Sequence, residues 1–126
     1  MIRKFPKIIN KLLFIGIITI PSIVFADANL LPQNPSVIIG SAVISKNDKT
    51  LTIQQNSDKL ITNWSSFNID KDHTVKFNQP QSTSSALNRV QTNDPTYIYG
   101  NLTANGNVIL INPNGVIFKN GSKVDV

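Results

Sequence analysis

The sequence predicts an all-β fold, and three observations support this prediction. Glutamate is absent and alanine is scarce, whereas Asn, Ser, Thr, Ile and Val are abundant from residue 27 onward. These residue types favour strands and turns over helices. Short apolar or alternating segments recur along the chain, and residues typical of turns separate them. Short strands at close spacing without intervening helices are typical of β-sandwiches, barrels and β-solenoids.

The candidate strands are rich in β-branched, aliphatic and aromatic residues, which suit a pleated surface. They comprise residues 37–39, 51–55, 60–64, 67–69, 74–77, 97–99, 108–111 and 116–118. Turn signals separate them at residues 46–49, 56–58, 70–72, 93–95, 105–106 and 112–115. Only residues 84–90 (SSALNRV) have a composition compatible with a helical turn.

Two details favour the solenoid among the three architectures. Asparagine recurs at strand ends, where it tolerates a left-handed conformation or caps a bend. The later strands are also as short as solenoid rungs. Base composition of the genome explains the richness in Asn and Ile equally well, and no exact repeat period is present. The residues alone therefore leave sandwich and barrel open. The asparagines concerned are Asn101, Asn105, Asn107, Asn112, Asn114 and Asn120.

The positive charge of the chain is concentrated at its beginning. The formal net charge is +5, but Arg3, Lys4, Lys7 and Lys11 contribute four of the positive charges. From residue 27 onward the net charge is only +1. Because nucleic-acid binding requires a basic patch on the folded domain, nucleic acid is excluded as a partner.

The first 26 residues have the organisation of a secretory signal peptide. A basic segment precedes the apolar residues 12–20 (LLFIGIITI), Pro21 ends that segment, and Ala26 is the expected cleavage position, with a second frame at residues 26–28. The apolar run is shorter than the about 20 residues that span a bilayer, which disfavours an uncleaved anchor. We expect export by the general secretion machinery, and residues 27–126 as the exported domain. With no cysteine, this domain depends on packing and backbone pairing.

The stretch ILINPNGVIF, residues 109–118, predicts a turn between two strands buried on one or both faces. Asn112 is expected to accept a hydrogen bond from the backbone N–H two residues on. Pro113 is expected to fix its own φ at about −65°. Asn114 tolerates the bridge region that follows, and Gly115 is expected to take a positive φ. By itself, such a turn is weak evidence of function.

Five blocks occur in a fixed order, and together they resemble the N-terminal two-partner secretion (TPS) domain of filamentous haemagglutinin-type exoproteins, or haemagglutination activity domain. They are residues 64–69 (WSSFNI), 75–80 (VKFNQP), 86–90 (ALNRV), 94–106 (DPTYIYGNLTANG) and 108–116 (VILINPNGV). The resemblance covers residues 34–126. It implies a right-handed parallel β-helix with extra short antiparallel strands. Here the domain is expected to be truncated, because the family's domain normally continues well past NPNG.

The resemblance implies a secretion-signal and fold-nucleating module of a large exported adhesin or haemagglutinin. The implied partner is an outer-membrane β-barrel transporter with periplasmic domains, and the implied destination is the surface of a Gram-negative cell or the medium. In the family, NPNG belongs to the region needed for secretion, a role we carry over to Asn112, Pro113, Asn114 and Gly115. Some members have an upstream NPNL-type motif. Residues 78–81 here are NQPQ, so no role is carried over from it.

Few residues in the sequence support a catalytic site or a metal site. His73 is the single histidine and has no ligand set around it, so we expect a loop residue and no metal or cofactor. Asp70 and Asp72 could share a strand face, as in some polysaccharide-cleaving β-helices, but a solvated turn is favoured. Arg89 is the only arginine from residue 27 onward. We therefore expect no enzyme.

The alternative function is a stand-alone carbohydrate-binding β-helix involved in adhesion, with host glycans as partners. Such a module needs a cluster of exposed aromatic rings and polar acceptors. Trp64, Tyr97 and Tyr99 are the candidates for contact with a glycan or a partner, although Trp64 is also expected as a core anchor.

Overall fold

The computed structural model describes residues 30–126; the predicted signal peptide, residues 1–26 with cleavage after Ala26, lies outside the described residues. The described part contains eleven strands and no helix, hence none that could cross a membrane. The strands are β1 Ser36–Ile39, β2 Ala42–Asn47, β3 Thr50–Gln55, β4 Lys59–Trp64, β5 Thr74–Asn78, β6 Ser85–Val90, β7 Thr96–Ile98, β8 Asn101–Ala104, β9 Asn107–Ile111, β10 Val116–Phe118 and β11 Lys123–Asp125.

The strands stack into a solenoid of about three turns with three sheets. In the first sheet β3, β5, β8 and β11 are successive parallel neighbours. In the second, β4, β6 and β9 are parallel neighbours. In the third, β7 pairs with β10, and a parallel bridge between Ile69 and Ile98 extends this sheet to the first turn. The architecture confirms the predicted parallel β-helix.

Two antiparallel strands close the first turn. Strand β1 pairs with β4, and β2 pairs with β3, both antiparallel. Because β3 and β4 belong to the first turn, β1 and β2 cover the edge that this turn would otherwise expose. The predicted extra antiparallel strands are therefore also confirmed.

The core lies inside the solenoid, where equivalent positions of successive turns stack. Leu51, Val75 and Leu102 are register partners along the first sheet, and each is buried. Parallel pairing with this inward stacking produces one continuous apolar column. The buried apolar residues are Leu31, Leu51, Ile53, Leu60, Trp64, Phe67, Ile69, Val75, Phe77, Ala86, Val90, Ile98 and Leu102.

Trp64 is a core residue. Its side chain is 1% exposed, its indole N–H donates to Asn88 Oδ1 at 2.9 Å, and its ring meets Phe67 edge to face, with 5.3 Å between centroids. Because Trp64 is almost fully buried, its ring is not accessible to a glycan in the folded domain. The expectation of a core anchor is confirmed.

Several element predictions need correction. Residues 84–90 form no helical turn, because 85–90 are β6, with β4 and β9 on either side. Residues 67–69 form no strand and contribute only the bridge at Ile69. Besides β6, three further strands were not predicted, namely β2, β8 and β11.

The strands flanking NPNG are less buried than predicted. On β9 the inward-facing Val108 and Leu110 are only half-buried, and Ile109 and Ile111 are exposed. On β10, Phe118 is 58% exposed. Among the described residues, only β11 continues past β10, so these positions lack the neighbouring turn that buries the equivalent residues of β6 and β7.

Asparagines at strand ends act through their side chains. Among the described non-glycine residues, positive φ occurs at Asn34, Asp48 and Asp72, and at none of the predicted asparagines. Instead, Asn105 Oδ1 accepts from Gln79 N at 2.7 Å, and its Nδ2 donates to Gln79 O at 2.8 Å. The side chains of the other predicted asparagines, with the exception of Asn120, likewise hydrogen-bond between turns.

Candidate functional site

The NPNG corner, residues 112–115, connects β9 to β10. Asn112 Oδ1 accepts from Asn114 N at 2.9 Å, and Gly115 N donates to Asn112 O at 2.9 Å. Gly115 has a φ of +107°. The predicted turn geometry of Asn112 and Gly115 is therefore present, because its determinants lie within the four residues themselves.

Asn112 also ties the corner to the preceding turn of the solenoid. Its Nδ2 donates to Asp94 O and to Thr96 Oγ1, each at 3.0 Å, and Asn112 is 9% exposed. The Asn112 side chain thus accepts a hydrogen bond within the NPNG corner through Oδ1 and donates hydrogen bonds to the preceding turn of the solenoid through Nδ2. This second role could not be predicted from the sequence, since the partners lie 16 and 18 residues upstream.

The other three residues of the corner face outward. Asn114 Nδ2 donates to Thr92 O at 2.7 Å, but Asn114 is exposed, as are Pro113 and Gly115. A Cβ on Gly115 would meet no described atom within 4 Å. The corner therefore has a buried half, Asn112, and an accessible half of three residues.

A groove lies beside the NPNG corner. Tyr97 on β7 and Tyr99 just after it place their ring centroids 5.8 Å apart, at an interplanar angle of 60°. The space in front of them measures about 340 Å³. We call it the tyrosine groove; its lining residues are Asn68, Ile69, Asp70, Asp94, Pro95, Tyr97 and Tyr99. Asp94 belongs to both features, because its carbonyl accepts from Asn112.

Asp72 and His73 lie in a turn, as predicted. His73 N donates to Asp70 O at 3.0 Å, its Nδ1 lies 2.9 Å from Lys71 O, and Asp72 has a φ of +65°. Within residues 30–126 no group of three His, Cys, Asp or Glu side chains is arranged to hold a metal ion. Asp70 enters the tyrosine groove, while Asp72 does not.

A second corner, buried and not predicted, joins the first sheet to the second. Gln55 and Gln79 follow register partners of β3 and β5. Gln79 Nε2 donates to Gln55 Oε1 at 3.2 Å and to Asn107 O at 3.1 Å, and its Oε1 accepts from Gly106 N at 2.8 Å. We call these three residues, Gln55, Gln79 and Gly106, the glutamine corner. The recurrence of Gln at the ends of two strands was the available sequence signal.

Comparison with known proteins identifies the family. The TPS secretion domain model matches residues 28–126. The chain belongs to the TPS secretion domain family. Two heme/hemopexin-binding proteins of Haemophilus influenzae, one of them from strain Rd, are each 39% identical to this TPS domain, over 118 and 120 residues. Each alignment covers 94% of this chain and 13% of the relative, so the chain spans only a small part of these curated relatives.

A solved structure supports the same assignment. The crystal structure of the HMW1 secretion domain from Haemophilus influenzae matches this TPS domain with a TM-score of 0.71 and 34% identity. The match covers 74% of this chain and 25% of the HMW1 chain. The chain is thus a secretion module of the kind carried by exoproteins such as HMW1, and the family is not an enzyme family. TPS domains imply a partner outer-membrane transporter, and TPS exoproteins leave Gram-negative cells through the periplasm.

Proposed function

We propose that this TPS domain is the secretion-signal and fold-nucleating module of a large exported adhesin or related exoprotein. A signal peptide over residues 1–26, cleaved after Ala26, directs it to the general secretion machinery. Residues 27–126 are then recognised in the periplasm by an outer-membrane β-barrel transporter with periplasmic domains. The family match over residues 28–126 carries this proposal.

Recognition uses strand addition in the extended state. The exported part carries few charges and many strand-forming residues, so its backbone can pair with an exposed sheet edge of the transporter, and alternate side chains provide specificity. The NPNG segment, Asn112 to Gly115, contributes a recognition signal in this state. The same residues become the corner between β9 and β10 once the domain has folded at the cell surface.

The two roles of NPNG can be separated experimentally, because its residues differ in burial. Asn112 ties two turns together, whereas Pro113 is exposed. We expect Pro113→Ala to reduce the secreted fraction several-fold, with a stability change of at most about 0.5 kcal/mol. The secreted fraction is measured in a Gram-negative host producing both proteins, and stability by chemical unfolding of the purified domain.

A pair of glycines provides the matched control. Gly115 and Gly121 have φ values of +107° and +92°, and a Cβ on either would meet no described atom within 4 Å. Alanine at either position therefore has a similar conformational cost, but only Gly115 belongs to NPNG. We expect Gly115→Ala to reduce secretion more than Gly121→Ala does. Equal secretion losses from these two variants, with no loss from Pro113→Ala, would leave NPNG a turn only.

The partner can be sought independently in the genome. A gene for an outer-membrane barrel with periplasmic domains is expected beside the gene of this TPS domain. Deletion of that gene should abolish secretion while the protein still reaches the periplasm. Undiminished secretion after the deletion contradicts the proposed partner.

Carbohydrate binding by a stand-alone adhesion module is the second candidate function. One observation favours it: Tyr97 and Tyr99 lie side by side, next to Asn68, Asp70 and Asp94. This is a cluster of aromatic rings and polar groups of the kind that a glycan-binding module needs. Host glycans are the partners that this candidate implies.

A further inference from the structure

We propose that the tyrosine groove is a binding site for a neutral saccharide of one or two rings. The site is formed by the folded domain and needs no transporter, so it is independent of the proposed role in secretion. It rests on the second candidate function, carbohydrate binding, and specifies the chemical class and the size of the ligand. The inference rests on the aromatic rings, the mixture of donors and acceptors, the charge and the size of the groove.

The rings supply an apolar surface at the edge of the third sheet. Tyr97 is 36% exposed, and Tyr99 lies at its side. Lys119 Nζ lies 5.2 Å from the centroid of the Tyr99 ring and covers one of its faces. Tyr97 is therefore the ring with the larger accessible area, and the C–H face of a sugar can pack against it as apolar groups pack on aromatic faces.

The polar side chains of the groove include both acceptors and donors. The carboxylates of Asp70 and Asp94 have no ion-pair partner within residues 30–126. Asn68 Oδ1 accepts from Tyr97 N at 2.9 Å, and within residues 30–126 the Asn68 amide hydrogens have no hydrogen-bond partner, so they can serve as donors to a ligand. A sugar hydroxyl both donates and accepts, whereas a cationic ligand would use only the acceptors. The mixture favours a saccharide over a lysine or arginine side chain.

Charge and size restrict the saccharide further. Two acidic residues, Asp70 and Asp94, and, among the described residues, no basic residue line the groove, so sulfated and carboxylated sugars are disfavoured by like-charge repulsion. Its volume of about 340 Å³ lies at the lower end of the range of about 300–1,000 Å³ for small-ligand sites. A neutral monosaccharide or disaccharide fits both restrictions.

The positions of the groove residues are fixed by hydrogen bonds on two sides. Asn112 holds the Asp94 carbonyl at 3.0 Å, and Asn68 holds the Tyr97 backbone at 2.9 Å. Tyr97 also pairs with Ile117 in the third sheet. A site built on such fixed elements needs little reordering on binding.

The test is a titration of the ¹⁵N-labelled 126-residue chain with lactose, with chitobiose and with a sulfated disaccharide, followed by amide chemical shifts. We expect at least one neutral disaccharide to shift Asn68, Tyr97 and Tyr99 with a Kd on the order of 1 mM, and the sulfated one to leave them unchanged. Tyr97→Ala should weaken binding about ten-fold, while Tyr97→Phe, which keeps the ring, should change it less than about two-fold.

Substitutions of similar size that remove charge keep the test decisive if Tyr97→Ala unfolds the chain. Asp70→Asn with Asp94→Asn should weaken neutral-sugar binding several-fold, whereas the exposed control Asp125→Asn should not. The proposal is overturned if neither neutral disaccharide shifts the groove amides, if the sulfated disaccharide binds as well, or if arginine methyl ester alone produces the shifts, which would assign the groove to cationic side chains. Because no transporter is present, none of these outcomes bears on secretion.

Discussion

The glutamine corner and the NPNG corner perform the same task in opposite ways. Both turn the chain between sheets, and both use an amide side chain to tie successive turns together. Gln79 is buried, with its amide directed at Gln55, Asn107 and Gly106. The NPNG corner buries only Asn112 and leaves Pro113 to Gly115 exposed.

The glycines of the two corners show the difference most clearly. A Cβ on Gly106 would lie 2.8 Å from Gln79 Oε1 and 2.9 Å from Ser84 O, whereas a Cβ on Gly115 would meet no described atom within 4 Å. Gly106 is required by packing, and Gly115 by its positive φ. A corner whose glycine is required by packing is buried and offers no surface to a partner. A corner whose glycine is required only for its backbone conformation can remain exposed and accessible to a partner.

The largest effect is expected from Gly106→Ala. The added methyl group must displace the Gln79 side chain or the backbone at Ser84, which should lower the free energy of unfolding by about 3 kcal/mol. Urea unfolding followed by the fluorescence of Trp64 measures the loss. In a Gln79→Ala background the same substitution should cost less, because part of the clash is removed. If Gly106→Ala lowers the free energy of unfolding by less than about 1 kcal/mol, packing does not require a glycine at this position.

An intermediate effect is expected from Asn112→Ala. It removes the donors to Asp94 O and Thr96 Oγ1 and the acceptor for Asn114 N, so we expect a loss of about 2 kcal/mol. Asn114→Ala is the matched control, since Asn114 is exposed and bonds one carbonyl of the preceding turn; it should cost less than about 1 kcal/mol. Equal losses of stability from the two variants would show that the buried half of the NPNG corner contributes no more to stability than its exposed half.

The smallest effect is expected from Gly115→Ala. With open space around the new methyl group, only the positive φ opposes the change, and the loss of stability should be about 1 kcal/mol. Comparison with Gly106→Ala by the same unfolding measurement checks the difference between the two glycines. A larger loss for Gly115→Ala would reverse their order.

Features determined by nearby residues could be predicted from the sequence. The turn at NPNG and the positive φ of Gly115 follow from residues 112–115, and β10 has the predicted bounds. The parallel stacking itself required the resemblance to a family, because the spacing between register partners is irregular. Along the first sheet, Thr50 pairs with Thr74, Thr74 with Asn101, and Asn101 with Lys123. These partners are 24, 27 and 22 residues apart, respectively.

Features determined by distant residues could not be predicted. Residues 84–90 suggested a helical turn by composition, yet Asn88 is fixed by Trp64, 24 residues earlier. Strand β2 depends on its antiparallel pairing with β3. The tyrosine groove combines Tyr97 with Asn68, 29 residues apart. Without a fixed repeat, no sequence pattern aligns such pairs.

The spacing of register partners also bears on the kinetics of folding. Each new strand of the first sheet finds its partner 22 to 27 residues back along the chain, so every turn closes a loop of nearly the same length. The free-energy cost of closing a loop grows only as about (3/2)RT ln n with loop length n, and the cost per turn therefore stays nearly constant as the solenoid lengthens. Relative contact order, the mean sequence separation of contacts divided by chain length, thus falls as turns are added, and a long β-protein of this design escapes the slow folding that long-range strand pairing usually imposes.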